Sequence, residues 1–191
     1  MGPDDRILQF ASPSFDASVE EIFPCLASGA TLALRSESMI RSIPHFLAAC
    51  NDLGITVLDL PTAFWSQMVA SLESGGAVLP KSLRLVIIGG EQAPYETVMV
   101  WMKIVGENVR LVNTYGPSEA TVVATAIELS GKRSLLSIRK QAPIGMPLRH
   151  VKTYVLDHNL KPTPIGTPGE LFIGGEAVSY THLTLPTNRE V

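Results

Sequence analysis

Near-continuous apolar runs alternate with segments of helical spacing through most of the chain. The clearest run, residues 83–88, is followed by a helical segment at 94–106 and then by another apolar run at 109–114. Strands that are apolar on both faces are typical of parallel sheets, which helices cover on each side. Hydrophobic residues make up 46% of the chain and charged residues 17%, which suits a buried sheet. The alternation predicts an α/β fold with a mostly parallel sheet flanked by helices.

The predicted elements follow one another as strand–helix repeats. Strands are predicted at residues 7–11, 30–34, 55–60, 83–88, 109–114 and 122–127. Helices are predicted at residues 18–27, 39–50, 61–72 and 94–106. Pro24 is expected to bend or shorten the first helix, because proline removes a backbone hydrogen bond. Gly54 suits the end of the second helix, and Pro61 and Pro94 suit the first turns of the third and fourth.

The pattern changes after Ser130. A basic stretch follows that is predicted to be a solvated connection, with Lys132, Arg133, Arg139 and Lys140. Two β segments come next, at residues 151–156 and 170–173, and the link between them is rich in proline and glycine. A looped pair of strands of this kind predicts the start of a small, separate β unit.

We therefore predict an α/β part at residues 1–142, a β part at 143–178 and a tail at 179–191. The tail has neither helical nor clean strand periodicity. We hypothesise that it is not native sequence but a read-through or chimeric end.

Charge and cysteine content argue against several classes of protein. A formal net charge of −3 gives no general attraction to nucleic acid or to anionic membranes. No apolar run approaches the length of a membrane span, and residues 1–5 do not form a signal peptide. Cys25 and Cys50 are too few for a disulfide framework or a zinc site, so a reducing cytoplasm is expected. The histidines have no metal-binding spacing; they are His45, His150, His158 and His182.

Residues 113–121 form a polar stretch at the end of a predicted strand. The stretch supplies the amide of Asn113, the phenol of Tyr115, the hydroxyl of Ser118 and the carboxylate of Glu119, around a Gly-Pro turn. Open α/β sheets bind their ligands at the carboxyl ends of strands. This set of groups can together hold a flat base, a phosphate and a metal ion. The alternative is a surface turn that is simply polar.

Three further segments accompany this loop in order along the chain: residues 15–19, residues 89–91 (Gly-Gly-Glu) and residues 169–175. Together the four segments resemble the motifs of adenylate-forming enzymes, and within them those of the adenylation domains of non-ribosomal peptide synthetases. The resemblance covers roughly residues 5–178, well under half of a complete adenylation domain. It implies a fragment of the family's N-terminal core, in which the β part begins a small β-barrel-like subdomain. In this resemblance residues 144–147 and 169–175 are structural.

The resemblance implies a site for ATP or AMP. Tyr115 is expected to stack on adenine, Asn113 to recognise the adenine amino group, and Thr114 to add a backbone carbonyl. Ser118 is expected to contact the α-phosphate and Glu119 to bind Mg²⁺. The alternatives are simple packing for Tyr115 and a helix first-turn position for Glu119. The implied nucleotide set is Gly89, Gly90, Glu91, Asn113, Thr114, Tyr115, Gly116, Ser118 and Glu119.

Asp16 distinguishes the branches of the family. In the amino-acid-activating branch an aspartate at this place pairs with the α-ammonium group of the substrate, through a charge-assisted hydrogen bond. Fatty, acetic and aryl acids have no ammonium group, so the carboxylate would be buried at a cost. The alternative role, which does not exclude the first, is that Asp16 caps the helix that follows it.

The resemblance also implies a lining for the amino-acid pocket: Asp16, Ala17, Glu20, Asp59, Ile87, Gly89, Thr114, Val122 and Val123. Two acidic side chains, Glu20 and Asp59, would repel each other there unless a cation lies between them. We therefore hypothesise a basic substrate such as lysine, ornithine or a related diamino acid. Alternatively, one of the two carboxylates turns to solvent or to an arginine, or the substrate is a polar amide.

The implied reaction joins an amino acid to AMP, releases pyrophosphate, and passes the aminoacyl group to a phosphopantetheine thiol on a peptidyl carrier domain. Condensation domains are further expected partners, whereas nucleic acid and membranes are not.

We find no counterpart of the family's phosphate loop, ribose-binding aspartate or catalytic lysine, so no catalytic residue is assigned. The chain alone is expected to be inactive and poorly soluble. The alternatives are a fragment of an acyl- or aryl-CoA ligase and a non-catalytic nucleotide-binding module.

Overall fold

Parallel strand pairing organises the first part of the chain. The computed structural model describes residues 1–130 and 141–179. The strands of the larger sheet are β1 (Arg6–Gln9), β2 (Thr31–Leu34), β3 (Val57–Pro61), β4 (Leu85–Gly89), β5 (Arg110–Tyr115), β6 (Thr125–Glu128) and β7 (Met146–Pro147). Their order is β2-β1-β3-β4-β5-β6-β7. β1 to β5 pair in parallel, whereas β6 and β7 are antiparallel. The predicted mostly parallel sheet is confirmed.

Four α-helices connect the parallel strands: α1 (Ala17–Ala27), α2 (Ile43–Asp52), α3 (Thr62–Glu73) and α4 (Tyr95–Ile104). Pro24 lies inside α1, yet the helix continues to Ala27, so the expected shortening does not occur. Pro61 and Pro94 are the cap residues of α3 and α4, immediately before the first turns in which they were predicted. Proline suits both places because its fixed φ and missing N–H cost a helix start nothing.

The single helix predicted at residues 39–50 is wrong. A 3-10 helix spans Glu37–Arg41, and Ser42 then adopts an extended backbone with φ −157°. The Ser42 hydroxyl accepts a hydrogen bond from the backbone N–H of His45, which caps α2. The hydrophobic spacing runs through the break, but a serine that bonds to the backbone favours a new helix start over continuation.

The β-prone run at residues 122–127 begins to pair only at Thr125. Thr121 and Val122 have φ values of 55° and 70°, in the left-handed region. Such values are unfavourable for β-branched residues, which crowd the following carbonyl. These residues nevertheless form a tight turn between the 3-10 helix Ser118–Ala120 and β6, so the strand begins later than predicted.

The main core lies between the sheet and α2, α3 and α4. Trp65 of α3 and Trp101 of α4 are fully buried, and their ring centroids are 6.0 Å apart. A second aromatic group joins Phe10, Phe46 and Phe64, with centroid separations of 4.8–5.8 Å. Because large aromatic rings bury the most apolar area, these two groups fix the helices against the strands.

The amino ends of the central strands are tied together by Asp5. Its buried carboxylate accepts hydrogen bonds from Arg84 Nε at 2.7 Å, from Thr56 Oγ1 at 2.8 Å and from the backbone N–H of Gly2 at 2.9 Å. These contacts hold the pKa of Asp5 well below its usual range, and the hydrogen bond from Arg84 is the largest cause. The cluster lies at the end of the sheet opposite the strand carboxyl ends.

The second sheet is a hairpin of β8 (Val151–Leu156) and β9 (Glu170–Gly175), paired antiparallel. Both strands lie where the sequence predicted them. The predicted basic connection and the tail beyond Ser179 lie outside the described residues. The division of the chain into parts stays a prediction.

α1 leaves an apolar face uncovered in the described part of the chain. Phe23 and Leu26 of α1, and Phe15 just before the helix, are each more than 60% exposed. Uncovered apolar surface of this kind lowers solubility, and the poor solubility of the chain stays a prediction. Within the described ranges, no helix combines the length and the apolar composition that a membrane crossing requires.

Asp5→Asn is expected to lower the free energy of unfolding of the chain by about 1–3 kcal/mol at pH 7. The pKa of Asp5 is lower in the folded chain than in the unfolded chain. Its contribution to the free energy of unfolding is therefore complete at pH values above the unfolded-state pKa and is lost as the pH falls through the acid range. Urea denaturation at pH 7 and pH 3 measures the difference. Asp4→Asn, at an exposed neighbouring position, is the control and should change little. An equal loss for Asp5→Asn at both pH values would contradict the ion-pair role.

Candidate functional site

Two adjoining cavities open at the carboxyl ends of the parallel strands. The smaller has a volume of about 160 Å³ and the larger about 630 Å³. They share one wall, formed by Gly90 and by Thr114, Tyr115 and Gly116 at the end of β5. This is the edge at which open α/β sheets hold their ligands.

The smaller cavity contains most of the residues predicted for the amino-acid pocket. Seven of them line it: Asp16, Ala17, Glu20, Asp59, Gly89, Thr114 and Val122. The remaining two, Ile87 and Val123, are not among its lining residues. Ile87 instead packs against the buried cluster of Ile7, Cys25 and Val57, deeper under the same face of the sheet.

The larger cavity contains most of the residues predicted for the nucleotide. Six of them line it: Gly90, Glu91, Asn113, Thr114, Tyr115 and Gly116. Gly89 lines the smaller cavity only. Ser118 and Glu119 lie on the following 3-10 helix and line neither cavity.

Asn113 is the most constrained polar group of the larger cavity. Its side chain is buried, and Nδ2 donates a hydrogen bond of 2.8 Å to the carbonyl of Pro143. This bond fixes the amide orientation and leaves Oδ1 buried without a hydrogen-bond partner in the described part of the chain. A buried carbonyl oxygen without a donor is unfavourable, so a ligand amino group would be well placed here.

Gly89 is required by a close approach between two strands. A Cβ atom at this position would lie 2.6 Å from Thr114 Oγ1. That hydroxyl donates to the carbonyl of Ile88 at 3.1 Å, so the neighbouring strand end is held in place. Thr62 at the start of α3 fixes the other side, because its hydroxyl lies 3.0 Å from the carbonyl of Gly89 and 3.1 Å from that of Glu91.

Asp16 is the N-cap residue of α1 by position, but its side chain makes no capping hydrogen bond. The carboxylate instead accepts a hydrogen bond from the Ser118 hydroxyl. The alternative role of Asp16 as a side-chain cap is therefore wrong. The contact links the start of α1, where Asp16 lines the smaller cavity, to the short helix after β5.

Glu21 is a site residue that the sequence reasoning missed. It is buried, and its carboxylate accepts hydrogen bonds from the backbone N–H groups of Phe10 at 2.9 Å and Ala11 at 3.0 Å. Burial raises its pKa to about 7 against the lowering effect of these bonds. The apolar spacing of α1 gave no signal for it, because the buried face carries Ser18, Glu21 and Cys25 whereas Phe23 and Leu26 are exposed. A glutamate on such a face needs a partner.

Glu20 and Asp59 form an acidic pair inside the smaller cavity. Asp59 Oδ2 is buried and has no hydrogen-bond partner in the described residues. Burial is the largest cause that raises the pKa of Glu20 to about 7 and that of Asp59 well above its usual range. The charge of Glu20 adds to the effect on Asp59. The predicted juxtaposition of two carboxyl groups is therefore present in the structure.

Tyr115 is the last residue of β5, and Glu119 lies on the short 3-10 helix that follows. Tyr115 is 40% exposed, which is inconsistent with the alternative of a packed core residue. Glu119 lies in the first turn of a short 3-10 helix, as its alternative interpretation proposed. The backbone carbonyl of Glu119 accepts hydrogen bonds from the N–H and hydroxyl groups of Ser179 at 2.8 and 2.9 Å, which anchor this helix.

A metal ion at Glu119 would need ligands beyond those that the described residues group together. Among the described residues, no group of three or more His, Cys, Asp or Glu side chains could hold a metal ion. Mg²⁺ commonly takes one or two carboxylates together with substrate phosphates and water. The residues present therefore fit a metal that arrives with a nucleotide.

Comparison with protein families gives one match over nearly the whole chain. The model described as "AMP-binding enzyme" matches residues 1–181. Among curated proteins, the isonitrile lipopeptide synthase of Streptomyces coeruleorubidus is 48% identical over 156 residues, 82% of this chain. A linear gramicidin synthase polypeptide of Brevibacillus parabrevis is 36% identical over 184 residues, 96% of the chain. The chain spans only 10% and 2% of the lengths of these relatives.

Solved structures share the fold. An artificially fused adenylation–PCP di-domain of a non-ribosomal peptide synthetase from Klebsiella oxytoca matches 93% of the chain with a TM-score of 0.78 at 24% identity. The chain covers 32% of that protein. The NpsA N-terminal subdomain from the same organism, in complex with 3-hydroxybenzoyl-AMSN, matches with a TM-score of 0.75 at 23% identity, and the chain covers 43% of it.

Asp59→Asn is expected to raise the free energy of unfolding at pH 8 by about 1–3 kcal/mol, because it removes a buried carboxyl group that must either carry a desolvated charge or take up a proton on folding. Since the pKa of Asp59 is higher in the folded chain than in the unfolded chain, the wild-type chain should lose stability as the pH rises above the unfolded-state pKa of Asp59. The variant should lose less. Urea denaturation at pH 5 and pH 8 measures both, with Asp52→Asn at an exposed position of α2 as the control. A destabilised Asp59→Asn chain at pH 8 would contradict this account.

Proposed function

The chain belongs to the AMP-binding enzyme family, and we propose that it forms part of an adenylation domain that activates an amino acid in non-ribosomal peptide synthesis. The observation that carries the proposal is the pair of adjoining cavities, with Asp16 at the smaller and Asn113 in the larger. An adenylating enzyme must bring a carboxylate beside the α-phosphate of ATP. Two cavities that share the wall at Thr114, Tyr115 and Gly116 would place the two substrates next to each other.

The larger cavity is proposed to bind the adenosine part of ATP. The Oδ1 atom of Asn113, which has no hydrogen-bond partner among the described residues, would accept a hydrogen bond from the exocyclic amino group of adenine. Nδ2 would keep its hydrogen bond to the carbonyl of Pro143. Tyr115 would lie against one face of the base, and the backbone at Gly90 would lie against the other. The size of this cavity suits a nucleoside.

Ser118 and Glu119 are proposed to act on the phosphates. The Ser118 hydroxyl would donate to the α-phosphate, and Glu119 would bind Mg²⁺ together with phosphate oxygens. The metal would neutralise charge as pyrophosphate leaves. In the structure the Ser118 hydroxyl donates to Asp16, which lines the smaller cavity, so the serine would contact the α-phosphate from beside the proposed amino-acid site.

The smaller cavity is proposed to bind an amino acid with a basic side chain. Asp16 would accept a hydrogen bond from the α-ammonium group at the mouth. Glu20 and Asp59 line the same cavity and would face the side-chain ammonium group of lysine, ornithine or a related diamino acid. Three carboxyl groups in a cavity of about 160 Å³ favour a ligand with two positive charges over an acyl or aryl acid.

The aminoacyl group is proposed to pass to the phosphopantetheine thiol of a carrier protein. The relatives are named as peptide synthases, and one structural neighbour is an adenylation–PCP di-domain. An adenylate is a reactive mixed anhydride, so an adjacent thiol would accept the acyl group with loss of AMP. Condensation domains of the same synthetase would use the resulting thioester.

The proposed preference for a basic amino acid can be tested by pyrophosphate exchange with a complete adenylation domain that contains this chain. Ornithine or lysine is expected to be the preferred amino acid, and Asp16→Ala should lower kcat/KM by about 10- to 100-fold, because the α-ammonium group loses its charged partner. Asp52→Ala is the matched control. A strong preference for leucine or phenylalanine would contradict the basic specificity. Activation of acids that lack an amino group would instead favour the CoA ligases.

ATP affinity of the same domain tests the nucleotide assignment. Glu119→Ala is expected to remove most of the Mg²⁺-dependent part of ATP binding, an effect of about tenfold or more. The Mg²⁺-independent part should remain, because Asn113 and Tyr115 are intact. Isothermal titration with and without Mg²⁺ measures both parts, with Glu73→Ala on the exposed side of α3 as the control. If Glu119→Ala leaves the Mg²⁺ effect unchanged, another residue binds the metal.

A further inference from the structure

Glu20 and Asp59 approach each other from different elements. Glu20 projects from α1 and Asp59 from β3, and both line the smaller cavity. Asp59 lies beside Ile87 in the strand register, within the apolar interior of the sheet. Its Oδ2 atom is buried without a hydrogen-bond partner among the described residues. An oxygen of this kind points to a ligand that can donate a hydrogen bond.

No cation is positioned to neutralise this pair in the described part of the chain. The ion pairs found there involve other acids, namely Asp5, Glu128 and Glu176. The remaining ionisable groups that line the cavity are Asp16, Glu21 and Tyr115, none of which is basic.

Arg35 is the cation whose charge acts on this region, and it acts on Glu21. Its Nε donates to the carbonyl of Phe10 at 2.9 Å, and its guanidinium group lies 5.2 Å from the centre of the Phe10 ring. The arginine is therefore held beside the loop between β1 and α1, and no hydrogen bond or ion pair links it to Glu20 or Asp59 among the described residues.

Two adjacent carboxyl groups in a confined cavity cannot both ionise without a cation, so the pair retains a proton near neutral pH. The direction of the pKa shifts agrees, because burial raises the pKa of both groups. The charge of Glu20 raises the pKa of Asp59 further, so the two carboxyl groups hold the retained proton as a pair.

We propose that the side-chain ammonium group of the substrate displaces the proton held between Glu20 and Asp59, so that the pocket exchanges one positive charge for another. This inference rests on the proposed activation of a diamino acid. The O–H bond of the carboxyl group breaks and the proton passes to solvent. The ammonium group keeps its own protons and donates hydrogen bonds to both carboxylates, including the unpartnered Asp59 Oδ2.

The exchange predicts that the affinity for a diamino acid depends on pH, whereas the affinity for an uncharged side chain does not. A diamino acid competes with the proton, so its apparent affinity increases as the pH rises through neutrality. An amide or an apolar side chain cannot replace the proton and should bind with little dependence on pH in this range. The pair would thus select the charge of the side chain, and the retained proton would remove one of its two negative charges while the pocket is empty.

The test uses a complete adenylation domain that contains this chain, with ornithine and lysine as probes. The KM of the preferred diamino acid in pyrophosphate exchange should fall about tenfold between pH 6 and pH 8. Binding calorimetry at pH 7, in two buffers of different ionisation enthalpy, should detect release of about one proton per substrate. Neither substrate ammonium group loses a proton at this pH, so the proton comes from the protein.

Two variants identify the source of the proton. The double variant Glu20→Gln/Asp59→Asn should release no proton and should lose the pH dependence of KM. Glu73→Gln, at an exposed position of α3, should behave like the wild type. The proton count in the unmodified domain does not depend on any variant, so a variant that fails to fold leaves the measurement intact.

The outcomes separate this inference from the function on which it rests. If ornithine or lysine is activated with equal heats in both buffers and a KM independent of pH, proton exchange is overturned while the diamino-acid preference stands. If only neutral amino acids are activated, the exchange and the preference both fail. If the domain activates no amino acid, the proposed function itself is wrong.

Discussion

Parallel pairing of β3, β4 and β5 is the constraint on which the rest of the structure depends. The register places Pro61 beside Gly89 and Ile88 beside Asn113, so that the three strands end at one edge. Residues before these ends are buried among apolar neighbours, because helices cover the sheet. Polar groups are therefore concentrated where the strands finish. The two adjoining cavities follow from this geometry before any particular side chain is considered.

Hydrogen bonds from the helices then fix the loops that form the cavity walls. Glu21 of α1 holds the backbone after β1, and Thr62 of α3 holds the backbone after β4. Both side chains are buried, so each satisfies loop N–H or C=O groups that would otherwise lack partners. A loop bound in this way presents a defined surface to a ligand, which a solvated turn would not do.

The sequence predicts the repeating elements and the loop after β5, because hydrophobic period and turn chemistry are local properties. It fails where a tertiary contact decides the outcome. Ser42 interrupts a continuous hydrophobic period by capping α2, and the direction of Ile87 into a buried cluster depends on the strands beside it. The left-handed turn at Thr121 and Val122 contradicts the preference of both residues. Gly116 explains part of that turn, because a Cβ atom there would lie 2.4 Å from the carbonyl of Val122.

The Glu20–Asp59 pair lowers the stability of the empty fold but would favour the binding of a cationic ligand. Asp59 interrupts an apolar strand, and its buried oxygen has no partner among the described residues, so the empty fold would be more stable with an uncharged residue. Locally unfavourable groups of this kind are common at functional sites, where a ligand supplies the missing interaction. Glu21, one residue after Glu20, shows the contrast, because its carboxylate is satisfied by the backbone and only shapes the wall. Two neighbouring glutamates on one helix thus differ in role, because one is bound by the backbone of a loop while the other faces a second carboxyl group.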